Sequence, residues 1–320
     1  LAMRMITGYN YTPADTKKKQ IYNCIISLLN GTHIDADKLD YIIRDTVSSG
    51  VDNLSVDLYR LINAVTIIEL GNRKLTIGYI KTSISIIQNI IIAKNNLYLW
   101  IYAHHKVQYY TKLLCTCFEK AIEIIFKVNK KDDIFYIASQ ILSVDCILKP
   151  KDVGTNDKKE VFYLVCDTDI YSLIKKAYAL SPDEQCFKEL FSRVYRKSLW
   201  KSYSEFKKYF KISEDKMAAL VKRMENNSSE IISSICKALK EGGRLSEPTD
   251  WTIIPAKAKL SKIVDANIFI DFGDQPLDYT QVAGYMNKSI PEFFYMYYDG
   301  EVLSKEQINI VIDTILNYVV

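Results

Sequence analysis

Along the N-terminal part of the chain, apolar positions repeat with helical spacing. Residues 17–29 carry Ile21, Ile25, Leu28 and Leu29 at i, i+4, i+7 and i+8, the stripe of an amphipathic helix that Asn30-Gly31 closes. A second helix follows, with Asp35 or Asp37 capping or charging its start and Gly50 ending it after Ser49. Residues 56–64 predict a third. The β-branched runs Thr66-Ile67-Ile68-Glu69-Leu70 and Lys74-Leu75-Thr76-Ile77-Gly78-Tyr79 flank Gly71-Asn72 and predict a hairpin. Residues 83–128 contain neither proline nor glycine, which predicts one very long helix or two broken near Asn95-Asn96. Helical periodicity returns at 132–148, 168–180, 182–210 and 213–239, with 149–159 as a loop around Pro150 and Gly154. After Gly242-Gly243 the pattern changes: 252–254, 262–271 and 293–298 read as strands and 305–319 as a closing helix. The expected fold is therefore mainly α, a helical bundle with a small β-hairpin over 1–240 and a small α+β region over 244–320. The aromatic run Phe293-Phe294-Tyr295-Met296-Tyr297-Tyr298 suits a strand core better than a platform for stacking bases.

Composition narrows the chemistry. With 48% hydrophobic and 25% charged residues among 320, the balance is that of a globular chain of one large or two smaller domains. Lys plus Arg at 42 against Asp plus Glu at 38 leaves +4, so any basic site must be local. The three histidines, His33, His104 and His105, argue against a self-contained multi-histidine metal site. Seven scattered cysteines with no Cys-x-x-Cys pair read as reduced thiols of a cytoplasmic protein, Cys115-Thr116-Cys117 included. The opening residues are not a signal peptide. The most apolar run, 84–93, is too short and too interrupted by Gln88 and Asn89 to span a bilayer, so a soluble protein is expected.

The segment richest in chemistry is Asp37-Lys38-Leu39-Asp40-Tyr41-Ile42-Ile43-Arg44-Asp45. On a helix Asp37, Tyr41, Arg44 and Asp45 share one side with Lys38 beside them, while Leu39, Ile42 and Ile43 form the apolar side. A divalent metal takes hard carboxylate oxygens, a polyphosphate takes a cation, and a sugar hydroxyl takes a carboxylate acceptor or a phenol donor. Spacing alone favours a solvated amphipathic helix with an Asp40–Arg44 pair and acids that suit the helix dipole.

These nine residues, preceded by Ile34-Asp35 and followed by Ser49-Gly50-Val51, resemble the D-[KR]-x-D-Y-x-x-R-D signature of the HD-domain phosphohydrolases. More narrowly they are similar to the dGTPase-like deoxynucleoside triphosphate triphosphohydrolases. Weaker likenesses follow in order at Val56-Asp57-Leu58-Tyr59-Arg60-Leu61-Ile62, at the stretch from Tyr102 to Val107 with its His105-Lys106-Val107, and at Tyr195-Arg196-Lys197-Ser198-Leu199-Trp200-Lys201. The resemblance spans about 1–240 and implies the following. Asp37 matches the last metal-ligating aspartate, Lys38 a cation for the triphosphate, Tyr41 a contact to sugar and phosphate, and Asp45 an acceptor for the deoxyribose 3′-hydroxyl. Arg44 is expected to pair with Asp40. His105 is a candidate acid near the leaving group, set against a packed helix histidine. Arg60, Arg196, Lys197 and Lys201 are candidates for a second nucleotide or oligomer-interface site, set against a solvated basic face. The implied reaction releases deoxynucleoside and inorganic triphosphate with a divalent metal, Mg, Mn or Fe, in a homo-oligomer.

The family's upstream His and its His-Asp doublet are not in this sequence, where only His33 precedes Asp37. The start at Leu1 favours a C-terminal portion of a longer polypeptide, whose preceding segment would supply those ligands, over a degenerate member. Two further readings stay open. One is a catalytically silent HD-fold module that binds nucleotides or nucleic acid. The other is a phosphohydrolase acting on another phosphate ester, against which Asp45 speaks.

Overall fold

The computed structural model describes residues 1–31, 34–50, 56–71, 73–155, 158–193, 195–241, 250–256, 268–282 and 293–318. Helix starts are set by side chains that the sequence puts there. After a short α1 (Ala2–Thr7), the Thr16 hydroxyl accepts from the Lys19 N–H and begins α2 (Lys17–Leu29). Asp35 does the same for Lys38 at α3 (Ala36–Ser49), which Gly50 closes at φ 70°, and Asp57 does it for Arg60 at α4 (Leu58–Ala64). β1 (Val65–Glu69) pairs antiparallel with β2 (Leu75–Ile80), Ile67 facing Ile77, so the expected hairpin forms, Asn72 of its turn lying outside the described residues.

The long apolar stretch forms α5 (Ile84–Leu97), a π turn over Tyr98–Tyr102, and α6 (His105–Phe126). The break falls at Ala103-His104 rather than near Asn95-Asn96. Asn95 and Lys94 keep their carbonyls in the ladder by accepting from the Tyr98 N–H, whereas Ala103 leaves the helical region with its N–H on Tyr98 O at 2.8 Å, a five-residue step.

Beyond α6 come α7 (Lys131–Ile141), α8 (Val144–Leu148), β3 (Lys151–Gly154), β4 (Lys159–Phe162), α9 (Asp167–Leu180) and α10 (Gln185–Ser192). The expected loop at 149–159 is thus partly a second hairpin. Gly154 sits at φ 137°, where a Cβ would meet Lys158 O at 2.2 Å, so this sharp pairing depends on glycine. The single helix expected over 182–210 is divided, because Arg193 adopts a left-handed φ of 57° and ends α10. β5 (Lys197–Ser198) and α11 (Tyr203–Tyr209) follow, then α12 (Glu214–Asn226) and α13 (Ser228–Glu241). The remainder holds β6 (Trp251–Ala256), β7 (Phe269–Asp271), β8 (Pro276–Asp278), α14 (Tyr279–Val282), β9 (Phe293–Tyr298) and α15 (Lys305–Leu316). Of the strand expected over 262–271, residues 262–267 lie outside the described set, as does Gly242-Gly243.

The chain divides into two compact units, Leu1–His104 with Lys257–Glu292, and His105–Ala256 with Phe293–Val320. This division does not follow the chain-order boundary expected near residue 240, because the tail strands are shared out. β7 adds parallel to β2 and carries β8, giving the order β1-β2-β7-β8, while β9 lies between β5 and β6. The first unit's core is an isoleucine cluster, Ile42, Ile77, Ile87, Ile90 and Ile270 among its members. The second centres on Trp200, enclosed by Phe206, Phe210 and Phe294, with its indole N–H on Phe294 O at 2.6 Å. All six residues of β9 are buried, so its aromatic run is strand core. The fold is mainly α with small β elements, as the periodicity predicts. Among the described residues no helix is long and apolar enough to cross a membrane.

Candidate functional site

The start of α3 is a closed polar knot. Asp35, 2% exposed, accepts from the Lys38 N–H at 2.8 Å, from the Gly31 N–H at 3.0 Å and from the Lys38 ammonium at 2.5 Å. The Lys38 ammonium also donates to Gly31 O at 2.8 Å. Three donors satisfy one buried carboxylate, and Lys38 is thereby folded back along its own helix end and held in one geometry.

From this knot Asp37, Tyr41 and Asp45 run down α3 at i, i+4 and i+8. In α5 and the π turn, Lys94, Tyr98 and Tyr102 form a second row with the same spacing, and α3 packs on α5. The two rows meet. The Tyr102 hydroxyl donates a short hydrogen bond to Asp45, and the Tyr102 ring meets Tyr98 edge-on with centroids 5.1 Å apart. Tyr41 loses water to this packing and faces Tyr98, Asp35, Asp37 and Asp45, which together push its phenol up to about 12. It remains a neutral donor at any physiological pH. Burial, then Asp45, raises Tyr102 as well.

Lys94 is 5% exposed, with its ammonium 5.7 Å from the Tyr98 ring centroid. Burial and the Lys38 charge hold its pKa below the usual lysine value, against a smaller pull from Asp35. Two cations (Lys38, Lys94), three phenols (Tyr41, Tyr98, Tyr102) and the carboxylates of Asp37 and Asp45 therefore converge on one face. Arg44 stands at its edge, bound to Asp40 at 2.7 Å and 3.7 Å from Asp45. Sequence reading did not single out Lys94 or Tyr98. The available signal is the i, i+4, i+8 row ending at Tyr102, with Lys94 as the one charged residue of α5.

Asp37 is exposed, and among the described residues no group of three or more His, Cys, Asp or Glu is placed to hold a metal ion. Asp35 is committed to Lys38 and the helix cap, so the described residues do not by themselves fit a divalent cation. His33 lies outside the described residues.

The other candidates lie outside α3, α5 and the π turn. Arg60 is exposed on α4 and donates to Thr82 O at 2.6 Å. His105 opens α6 in the second unit, buried, with its carbonyl accepting from the Tyr297 hydroxyl at 2.6 Å and its ring 6.3 Å from Tyr295. Arg196, in the same unit, is bound to Glu189 at 3.0 Å, Asp250 at 2.6 Å and the Thr252 hydroxyl at 3.0 Å, and the Tyr109 hydroxyl donates to the same Glu189. Lys197 donates to Gly300 O, and Lys201 is exposed beside Glu205, which accepts from its N–H at 2.7 Å.

No family model matches the chain. It is 24% identical over 245 residues to an uncharacterized protein of Methanocaldococcus jannaschii, a match covering 73% of this chain and 51% of that protein. The chain thus spans about half the length of the curated relative it matches. Among solved structures, a hypothetical protein of Aquifex aeolicus is similar at a TM-score of 0.47 and 14% identity, over 97% of this chain and 63% of that one. A phosphohydrolase of Bacteroides thetaiotaomicron VPI-5482 is similar at a TM-score of 0.53 and 15% identity, over 94% of this chain and 67% of that one. The chain shares its fold with that phosphohydrolase.

Proposed function

We propose that the chain is the substrate-binding part of an HD-type phosphohydrolase that converts deoxynucleoside triphosphates to deoxynucleoside and inorganic triphosphate. The observation that carries this reading is the meeting of the Asp37-Tyr41-Asp45 row with the Lys94-Tyr98-Tyr102 row, on a fold shared with a phosphohydrolase. Each side chain then has a role its chemistry suits. Lys38 and Lys94 neutralise triphosphate oxygens as compact ammonium groups. The Tyr41 phenol donates to phosphate or sugar oxygen. Asp45, oriented by the Tyr102 hydroxyl, accepts from the sugar 3′-hydroxyl, which orients the nucleoside while its 5′-oxygen leaves. Asp37 would supply one carboxylate to a divalent cation whose remaining ligands lie outside the described residues, and the cation would supply an activated water.

The test is a substrate panel on the full-length protein: the four deoxynucleoside triphosphates, the ribonucleoside triphosphates and the deoxynucleoside monophosphates, each with Mg or Mn, followed by product chromatography. Nucleoside and intact triphosphate from the deoxy substrates support the proposal. Release of orthophosphate from monophosphates instead would move the chain to another phosphohydrolase class. Saturable nucleotide binding with no turnover would make it a binding module.

A further inference from the structure

Below Arg196 the second unit has a cleft of about 310 Å³ between α6 and α10, and a cysteine pair lies at its wall. Cys117 of α6 is fully buried, and its thiol donates to the backbone O of Cys186 at 3.3 Å. Cys186 lies in the first turn of α10 and lines the cleft, half-buried, so one cysteine of the pair borders the cleft and the other is buried against it. The influence of the two thiols on each other favours the thiolate at Cys186 and the protonated thiol at Cys117. The backbone N–H groups of Phe187 and of Cys186 itself add to this, against burial and the Glu184 charge, which oppose it. An accessible sulfur with stabilised negative charge, backed by a protonated neighbour, is the arrangement of an attacking and a resolving thiol.

We propose that Cys117 and Cys186 are a redox-active dithiol that closes to a disulfide with a low-molecular-weight disulfide such as glutathione disulfide. The Cys186 thiolate attacks one sulfur of glutathione disulfide, forming the mixed disulfide and releasing one glutathione thiolate, which takes up the proton lost from Cys186. Cys117 then attacks the Cys186 sulfur, its proton passes to the departing second glutathione thiolate, and the Cys117–Cys186 bond is complete. Two protein thiols are oxidised and one glutathione disulfide is reduced to two glutathiones. The crosslink ties α10 to α6 one turn before Glu189, the carboxylate that gathers Arg196, Gln185 and the Tyr109 hydroxyl. Oxidation therefore stiffens this network, and reduction frees the start of α10.

The experiment equilibrates the full-length protein in buffers of increasing glutathione disulfide to glutathione ratio, quenches with acid and alkylating agent, and maps the peptides. The seven cysteines are free thiols in the structure, and Cys115 and Cys166 are exposed, so these two report that the oxidant reaches the protein. The expected result is a peptide pair joining Cys117 to Cys186, reversed by dithiothreitol, with a higher unfolding midpoint for the oxidised protein. Cys117→Ser should trap glutathione on Cys186, and Cys186→Ser should leave Cys117 unmodified. The proposal is overturned if wild-type Cys117 and Cys186 stay reduced where Cys115 and Cys166 carry glutathione. It is equally overturned if Cys186 keeps glutathione without passing it to Cys117.

Discussion

Lys94 has almost no exposed surface, and an ammonium group taken out of water destabilises the fold unless something else uses its charge. Its nearest compensation is the Tyr98 ring and the field of Asp35, while Lys38 opposes it. With its folded pKa below 10.5, the unfolded chain holds the proton to higher pH than the folded one. Stability from this residue therefore rises with pH between the folded pKa and 10.5, and below that window the cost of burial is constant. Lys94→Met should raise unfolding stability near pH 7 by about 0.5–2 kcal/mol, and the gap to wild type should narrow as pH approaches 10.5. Urea titrations at several pH values measure this. The same variant should bind triphosphate roughly tenfold or more weakly, the loss expected when one charged hydrogen bond goes. At Asp45, replacement by Asn keeps an oxygen for the Tyr102 hydroxyl and removes the charge. Asp45→Asn should therefore raise KM for the deoxynucleotide about 10- to 100-fold with little change in the unfolding midpoint. An unchanged KM would remove Asp45 from the sugar site.

At the scale of elements, the π turn sets the register of the second row. Its extra residue per turn brings Tyr102 onto Asp45 while α6 restarts at His105. Trp100, inside the turn, is 64% exposed, so deleting it removes the extra residue with little loss of core. The deletion should restore α-helical register, rotate Tyr102 off Asp45 and lower kcat/KM at least roughly tenfold, while far-ultraviolet circular dichroism stays unchanged. Full activity in the deletion would show that the turn has no part in the site. In the adjacent sheet, a Cβ on Gly78 would lie 1.8 Å from Ile68 Cδ1 and 3.1 Å from Phe269 O. Gly78→Ala should cost about 1–3 kcal/mol in chemical denaturation, and Ile68→Val in the same chain should recover part of it. The π turn also marks where local pattern stops being informative. Asn95 and Asn96 look like a break on propensity, but α5 runs through them and packing against α3 decides. The start of α3 was readable because Asp35 carries its own acceptor, and Thr16 and Asp57 cap α2 and α4 by the same chemistry. The β3–β4 hairpin was not, because its strands are short and charged and its geometry rests on Gly154.

At the scale of the molecule, chain order misleads about domains. Two strands from the tail extend the hairpin sheet of the first unit, and two others join β5 in a sheet of the second, pairings at long sequence separation that periodicity does not report. The candidate site was half legible for a related reason. The α3 row is local and follows from helical spacing, so Asp37, Tyr41 and Asp45 could be read directly. The α5 row became visible only when packing brought it to α3, since nothing in the local sequence around Lys94 or Tyr98 announces a partner more than forty residues away.

The most direct measurement of the central claim is the release of intact triphosphate from deoxynucleoside triphosphates by the full-length protein, wild type beside Asp37→Ala, with and without added Mg or Mn. Wild type should release triphosphate and deoxynucleoside in equal amounts and only with metal. Asp37→Ala should lose that release to background, with an unchanged unfolding midpoint because Asp37 is exposed. Release by Asp37→Ala at the wild-type rate, or no deoxynucleotide turnover by either protein with metal present, would contradict the proposed function.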